Sequence, residues 1–160
     1  MWLKRWRRRR GYGVHSPFAY RFICSVITEE LPYYDYWRLG TDEEKLLYRV
    51  AVFLQPVEIR SVGGGEIAAA RLGCPKRKDR KPPRCIDMEA TRLAVAGANA
   101  PEADVVAMMR KGYCVVWQHS ATPEVRRALD ELGCGMTFGV GHRMSIILPL
   151  PQLPRQDFKM

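Results

Sequence analysis

The alternation of strand-like and helix-like segments after residue 56 is the feature that most restricts how this chain can fold. An alternating pattern over 57–62 predicts a strand, and the apolar run over 113–117 predicts a buried strand. A helical pattern follows each of them. Strands that alternate with helices favour parallel pairing in one sheet that helices cover. With 160 residues, the chain suits a single α/β domain.

Capping and breaking residues set the other boundaries. The patterns predict helices over 17–30, 42–55, 66–73, 90–99, 103–111 and 122–132. They also predict a short strand over 84–88, and strands over 136–140 and 143–149 that a two-residue turn, Gly141-His142, joins into a hairpin. We expect the aromatic cluster over 33–37 to pack a helix onto the body, and residues 151–160 to lie along it.

Two short segments account for the net positive charge of the chain. Residues 1–10 hold six basic side chains and 76–84 hold six against one acidic side chain, whereas the formal net charge of the whole chain is +9. Basic runs attract nucleic acid or anionic surfaces, and Trp2 and Trp6 add rings that can stack on bases. A solvated tail and loop fit these runs equally well. The nucleic-acid contacts predicted on this basis are Arg5, Arg7, Arg8, Arg9, Arg10, Lys76, Arg77 and Lys78.

Cysteine spacing argues against a metal centre. The five cysteines are scattered, no CxxC pair occurs, and no histidine lies at a zinc-ligand spacing from a cysteine pair. We therefore expect no metal, and reduced thiols in a cytoplasmic protein. The basic N-terminus is not followed by the apolar stretch of a secretory signal. No run approaches the roughly 18 apolar residues of a membrane span.

Three consecutive glycines make the strongest candidate binding site. Gly63, Gly64 and Gly65 lie between a predicted strand and a predicted helix, where a bare backbone can approach a ligand closely. About 20 residues later, Asp87 and Glu89 lie at the end of the predicted strand 84–88, and an acid there can bind ribose hydroxyls. The spacing therefore predicts a site for an adenosine-containing ligand.

The histidines are weaker candidates. His119 follows the strand 113–117, at the end where α/β sheets bind ligands. His15 precedes a helix start and is better explained by capping, and we expect His142 to be exposed in the hairpin turn. No GxxxxGK[ST] sequence is present, which argues against a nucleotide triphosphatase.

Both ends of the chain resemble one protein family. Residues 13–18, GVHSPF, resemble the GxHSPF opening of class I S-adenosylmethionine-dependent methyltransferase-like proteins that carry an N-terminal helical cap. Residues 45–49, KLLYR, resemble the helix that leads into their first core strand. YCVVWQHS over 113–120, MTFGVGHRMSIILP over 136–149 and LPRQDFKM over 153–160 resemble their last strands and tail.

The resemblance implies a reduced Rossmann-like methyltransferase sheet, mostly parallel, with a C-terminal antiparallel hairpin and an N-terminal helical cap. The corresponding organisation is a basic arm over 1–16, the cap over 17–55 and the α/β core over 56–160. The implied cofactor is S-adenosylmethionine, bound at Gly63, Gly64, Gly65, Asp87 and Glu89.

The middle of the chain departs from the family. Ser61 stands where such enzymes carry an acid two residues before the first glycine, and only 23 residues separate Glu89 from Tyr113. No base-methylation sequence such as NPPY or DPPY occurs. Two functions therefore stay open: a methyltransferase for an acceptor that the sequence does not identify, and a non-catalytic methyltransferase-like module that binds nucleic acid. A third, self-association through 33–37, is a further alternative.

Overall fold

A computed structural model describes residues 16–30, 33–74 and 91–160. Their contacts divide them into two compact units. The first unit contains residues 16–30, 33–55 and 68–74, and the second contains 56–67 and 91–160.

Helices form the first unit, and side-chain caps start two of them. Ser16 accepts a hydrogen bond from the Ala19 N–H at 3.3 Å, and Pro17 occupies the first helical position. Thr41 and Glu44 form a reciprocal capping box, at 3.1 and 3.0 Å. The elements are α1 (Pro17–Phe22), a π-helical turn (Ile23–Ile27), a 3-10 helix (Tyr34–Arg38), α2 (Asp42–Leu54) and α3 (Ala68–Gly73).

The π-helical turn ends the first helix at Ile27 rather than at residue 30. Thr28 donates its backbone N–H to the Ile23 carbonyl at 2.9 Å, five residues back. Arg49 of α2 donates to the Val26 carbonyl at 2.5 Å. The Ile23 and Val26 carbonyls are therefore bonded although no α-helical turn follows.

The four aromatic side chains of the segment Tyr33–Trp37 have two different environments: two contact α2 and two are exposed to solvent. The rings of Tyr33 and Tyr36 lie 5.3 Å apart, and both contact the ring of Tyr48 on α2, at 5.6 and 5.8 Å. Tyr34 and Trp37 are instead 90% and 76% exposed. The expectation that the cluster packs onto a helix is thus confirmed for Tyr33 and Tyr36 and wrong for Tyr34 and Trp37.

A six-stranded sheet forms the second unit. The strands are β1 (Glu58–Val62), β2 (Arg92–Ala96), β3 (Tyr113–Trp117), β4 (Met136–Val140), β5 (Met144–Leu148) and β6 (Gln156–Lys159). Their order is β1-β2-β3-β5-β4-β6. β1, β2 and β3 are parallel, β5 is antiparallel to β3 and β4, and β6 is parallel to β4. The α/β class is confirmed.

Two helices, α4 (Glu102–Arg110) and α5 (Pro123–Leu132), cover one face of this sheet. Each connects two strands of the sheet in chain order, β2 to β3 and β3 to β4. Thr122 caps α5 by accepting from the Val125 N–H at 3.3 Å. The buried core on this face combines strand residues with Val105, Met109 and Leu129 of the helices.

The helix predicted over 90–99 is wrong, because Arg92–Ala96 forms strand β2. Leu93 to Ala96 are at most 1% exposed, since β1 and β3 flank the strand and both of its faces are covered. A strand buried on both faces shows no alternation, and its alanines favour a helix in isolation. Pairing with two neighbours outweighs that local preference. The strand predicted over 84–88 lies outside the described residues.

The C-terminal segment also differs from its prediction. The hairpin turn spans 141–143, so it has three residues rather than two. Residues 156–159 form β6 instead of lying irregularly along the body. Arg155 fixes this strand by hydrogen bonds to Asp157 at 2.7 and 2.9 Å and to Asp130 of α5 at 2.7 Å, and the rings of Phe158 and Phe138 stack 4.9 Å apart.

No helix in the described part of the chain combines the length and the apolar composition that crossing a membrane requires.

The Tyr48 hydroxyl gives the protein a pH dependence at high pH. Burial, and the hydrogen bond that Tyr48 donates to Asp35 at 3.1 Å, raise the pKa of Tyr48 from 10.0 to about 12. The folded state therefore holds this proton more tightly, so the stabilisation is complete below pH 10 and is lost between pH 10 and about 12.

We expect the free energy of unfolding of the wild type to fall more steeply above pH 10 than that of Tyr48→Phe, by about 1–2 kcal/mol at the alkaline end. Urea unfolding followed by circular dichroism at a series of pH values measures this difference. Tyr34→Phe is the control, because the Tyr34 side chain is exposed. Parallel profiles for wild type and Tyr48→Phe would contradict the assignment.

Candidate functional site

The predicted ligand site falls at the carboxyl edge of the three parallel strands. β1, β2 and β3 end at Val62, Ala96 and Trp117. The segments 63–65, 97–100 and 118–120 follow them and are rich in glycine and polar residues. Ligands of open α/β sheets bind at this edge.

The glycine turn after β1 is closed by its own hydrogen bonds. Gly63 and Gly64 have φ values of +54° and +78°, a left-handed conformation that favours glycine. The Gly65 N–H donates to the Val62 carbonyl at 3.0 Å. The Ser61 hydroxyl donates to the Gly65 carbonyl at 2.5 Å. The Ser61 side chain thus contributes to the turn itself.

The three glycines differ in the space around them. A Cβ atom on Gly63 would lie 2.4 Å from the Ala100 Cα, and one on Gly65 would lie 2.0 Å from the Val95 carbonyl oxygen. A Cβ atom on Gly64 would have no neighbour within 4 Å. Close packing against the protein's own backbone therefore explains the absence of a side chain at the first and third glycines, and Gly64 alone of the three has open space where a side chain would be. Gly63 and Gly64 are both exposed, whereas Gly65 is buried.

A fourth glycine, which the sequence analysis did not single out, completes this arrangement. Gly97, directly after β2, donates its N–H to the Val62 carbonyl at 3.0 Å. A Cβ atom on Gly97 would lie 2.6 Å from the Gly63 carbonyl oxygen. The sequence analysis missed Gly97 because it placed this residue within a predicted helix, over 90–99, and not in a turn.

The backbone that this edge can offer to S-adenosylmethionine lies at Gly63 and Gly64, which are exposed, whereas Gly65 is buried. The space for a side chain is filled from within at Gly63 and open at Gly64. Asp87 and Glu89 lie outside the described residues, so their contact with a ribose stays a prediction. The described residues contain no group of His, Cys, Asp and Glu side chains that could hold a metal ion.

The basic residues predicted to contact nucleic acid also lie outside the described residues. This applies to Arg5, Arg7, Arg8, Arg9, Arg10, Lys76, Arg77 and Lys78, and to His15. Their role stays a prediction.

His119 lies at the carboxyl end of β3, as its sequence position predicts. It is exposed, and its ring centroid is 4.8 Å from that of Trp117. Its Nδ1 lies 2.8 Å from the Ser120 carbonyl oxygen, which selects the tautomer with the proton on Nδ1. Ser145 donates to the His119 carbonyl at 2.8 Å. His142 is exposed in the turn, which confirms its prediction.

The amino edge of the same three strands, where they begin, carries a charged cluster that the sequence analysis did not identify. Glu58, Arg92 and Tyr113 are register partners at the starts of β1, β2 and β3. Glu58 accepts hydrogen bonds from the Tyr113 hydroxyl at 2.8 Å and from Arg60 at 2.5 Å, which lower the pKa of its carboxyl group. The Arg92 guanidinium lies 4.6 Å from the centre of the Tyr113 ring. These groups satisfy one another, so we assign them to strand alignment.

No protein-family model, curated protein or solved structure matches this chain.

The packing difference between the glycines predicts different costs of substitution. Gly65→Ala forces a carbon onto the Val95 carbonyl, and we expect it to lower the free energy of unfolding by about 3 kcal/mol. Gly64→Ala meets no atom and carries only left-handed strain, about 1–2 kcal/mol. Urea unfolding measures both values. Equal costs would show that the turn is not packed as described.

Proposed function

We propose that this chain is a class I methyltransferase-like protein that binds S-adenosylmethionine at the turn after β1. The finer fold that we propose is a reduced Rossmann-like sheet with an N-terminal helical cap. The parallel arrangement of β1, β2 and β3 and the antiparallel position of β5 support it. The observation that carries the ligand proposal is Gly64, which is exposed and left-handed at the carboxyl edge.

The chemistry that this cofactor supplies is an activated methyl group on a sulfonium. A protein that uses it has chiefly to hold the acceptor in line with the methyl group. In this chain, the Gly64 backbone would contact the adenosyl part, and Asp87 or Glu89 would bind the ribose. The segment 118–120 after β3 lies at the same edge of the sheet, and His119 is its exposed titratable side chain.

A second function is open because the way in which the turn is filled can be explained without a cofactor. Gly63, Gly65 and Gly97 are each explained by backbone packing, and Ser61 is bonded within the turn. A protein that had lost cofactor binding would need these contacts equally. In this alternative, the chain is a non-catalytic module that binds nucleic acid through residues 1–10 and 76–84.

A cytoplasmic location forms part of both proposals. Cys24, Cys114 and Cys134 are free thiols. Burial raises the pKa of Cys114 to about 12, so that thiol is protonated and unreactive at neutral pH. Unpaired thiols are typical of a reducing compartment.

Cofactor binding predicts a specific effect at Gly64. Isothermal calorimetry with S-adenosylhomocysteine, the demethylated product, should give a saturable heat for the wild type. Gly64→Asn keeps the left-handed backbone but places a side chain in the open space, so we expect at least a tenfold loss of affinity.

Gly133→Asn is the matched control for this measurement. Gly133 also has a positive φ, +67°, and a Cβ atom there would meet nothing within 4 Å, but it ends α5. The control should bind as the wild type does. No heat at millimolar ligand from the folded wild type would remove the cofactor proposal, and equal affinity in Gly64→Asn would remove the assigned position.

Nucleic-acid binding through the basic segments predicts a steep dependence on salt. Each phosphate contact with a single strand contributes about 0.7 to the slope of log affinity against log salt concentration. Replacement of Arg8, Arg9 and Arg10 by serine should therefore reduce that slope by about 2. Fluorescence anisotropy with a labelled oligonucleotide measures the slope. An unchanged slope would exclude these three residues as contacts.

A further inference from the structure

The last strand of the sheet has a neighbour on one side only within the described part of the chain. β6 stands at the end of the strand order and pairs with β4. The N–H groups of Gln156 and Met160 donate to carbonyl oxygens in or next to β4, at 3.1 and 2.9 Å. Because backbone groups alternate in direction along a strand, those of Asp157 and Lys159 point away from β4. We call this outer side of the strand the β6 edge.

The β6 edge carries opposite charges on one face. Asp157 and Lys159 are two residues apart in a strand, so their side chains share a face, and both residues are exposed. Arg155 donates to the two oxygens of the Asp157 carboxylate at 2.7 and 2.9 Å, and Thr137 also donates to this group. These bonds fix the orientation of the carboxylate, and the Asp157 side chain is still 42% exposed.

A second copy of the chain would satisfy both the backbone and the charges of this edge. If the two β6 strands pair antiparallel about a twofold axis at Phe158, Asp157 of each copy lies opposite Lys159 of the other. Each opposed pair then exchanges both of its outward backbone hydrogen bonds. The side chains of each pair carry opposite charges and lie within contact distance across the strands.

The neighbouring registers place like charges together. A shift by two residues keeps the outward backbone groups paired, but it sets Asp157 opposite Asp157 or Lys159 opposite Lys159. Like charges directly opposite each other destabilise a strand pair. The register centred on Phe158 avoids this conflict. It also brings the two Phe158 rings opposite each other on the other face, where each stacks on Phe138 at 4.9 Å.

We propose that the β6 edge is a self-association surface, through which two copies of the chain pair by antiparallel β6 strands centred on Phe158. Charged residues on an edge strand normally oppose such pairing. Here the order of Asp157 and Lys159 makes the charges complementary in a twofold contact. β6 has four residues, so the dimer is weak and depends on protein concentration. The inference uses no residue assigned above to the cofactor or to nucleic acid.

Sedimentation velocity of the full chain in reducing buffer, from micromolar to millimolar concentration, measures the dimer. Lys159→Glu sets two acids opposite each other and should weaken dimerisation about tenfold or more. Lys159→Pro removes an outward N–H, which an edge strand tolerates, and should abolish dimerisation. Lys111→Glu is the charge-matched control, because Lys111 is exposed at the end of α4, and it should dimerise as the wild type does. All variants should keep the far-UV spectrum of the wild type.

A mixture of two charge variants tests the register itself. Asp157→Lys should also weaken self-association, because lysines then lie opposite each other. Mixed with Lys159→Glu, it should form a heterodimer, since each pair again combines an acid with a base. Asp157→Lys loses the hydrogen bonds from Arg155. If that variant does not fold, the two Lys159 variants decide the question.

Amide hydrogen exchange at Asp157 and Lys159 identifies what covers the edge. Protection that rises with protein concentration supports the inference. A monomer at every concentration, or a dimer that both Lys159 variants leave intact, would overturn it. Slow exchange of these amides in the monomer would do so too, because another segment of the same chain would then cover the edge. Loss of the dimer in Trp37→Ala but not in Lys159→Glu would instead assign self-association to 33–37.

Discussion

The carbonyl oxygen of Val62 accepts two backbone hydrogen bonds, from Gly65 and from Gly97, each at 3.0 Å. A carbonyl has two lone pairs, and here both are used. The turns that follow two neighbouring parallel strands are therefore bonded to one atom. A side chain at 65 or 97 would separate them, because their backbones already lie closer than a Cβ atom permits. The geometry of the carboxyl edge of β1 and β2 depends on this shared acceptor.

This constraint also limits what glycines can indicate about function. A run of glycines between a strand and a helix is compatible with a ligand and with internal packing, since both require a backbone without side chains. In this chain, internal packing accounts for the absence of a side chain at Gly63 and Gly65, whereas no packing contact accounts for it at Gly64. Packing thus separates three residues that look equivalent in the sequence.

Elements with local signals could be predicted from the sequence, and those that depend on distant partners could not. α2, α5 and β3 follow their capping residues and apolar patterns closely. β2 was missed because its flanking strands, and not its own composition, make it a strand. β6 was missed because Arg155 and Phe158 hold it through residues far away in the chain. Likewise, no local sequence pattern shows that Gly97 approaches Gly63. The internal packing of the turn after β1 could therefore not be predicted.

The π-helical turn over 23–27 marks the one place in the first helix where the chain holds an extra residue. A π turn holds one residue more than an α turn, so it can absorb an inserted residue within an otherwise regular helix. Ser25 is exposed within it, whereas Phe22 and Val26 on either side are buried. Loss of one residue at this point would restore α-helical bonding. The first helix can therefore lose a single residue here while the Phe18 and Phe22 contacts of its first turns stay in place.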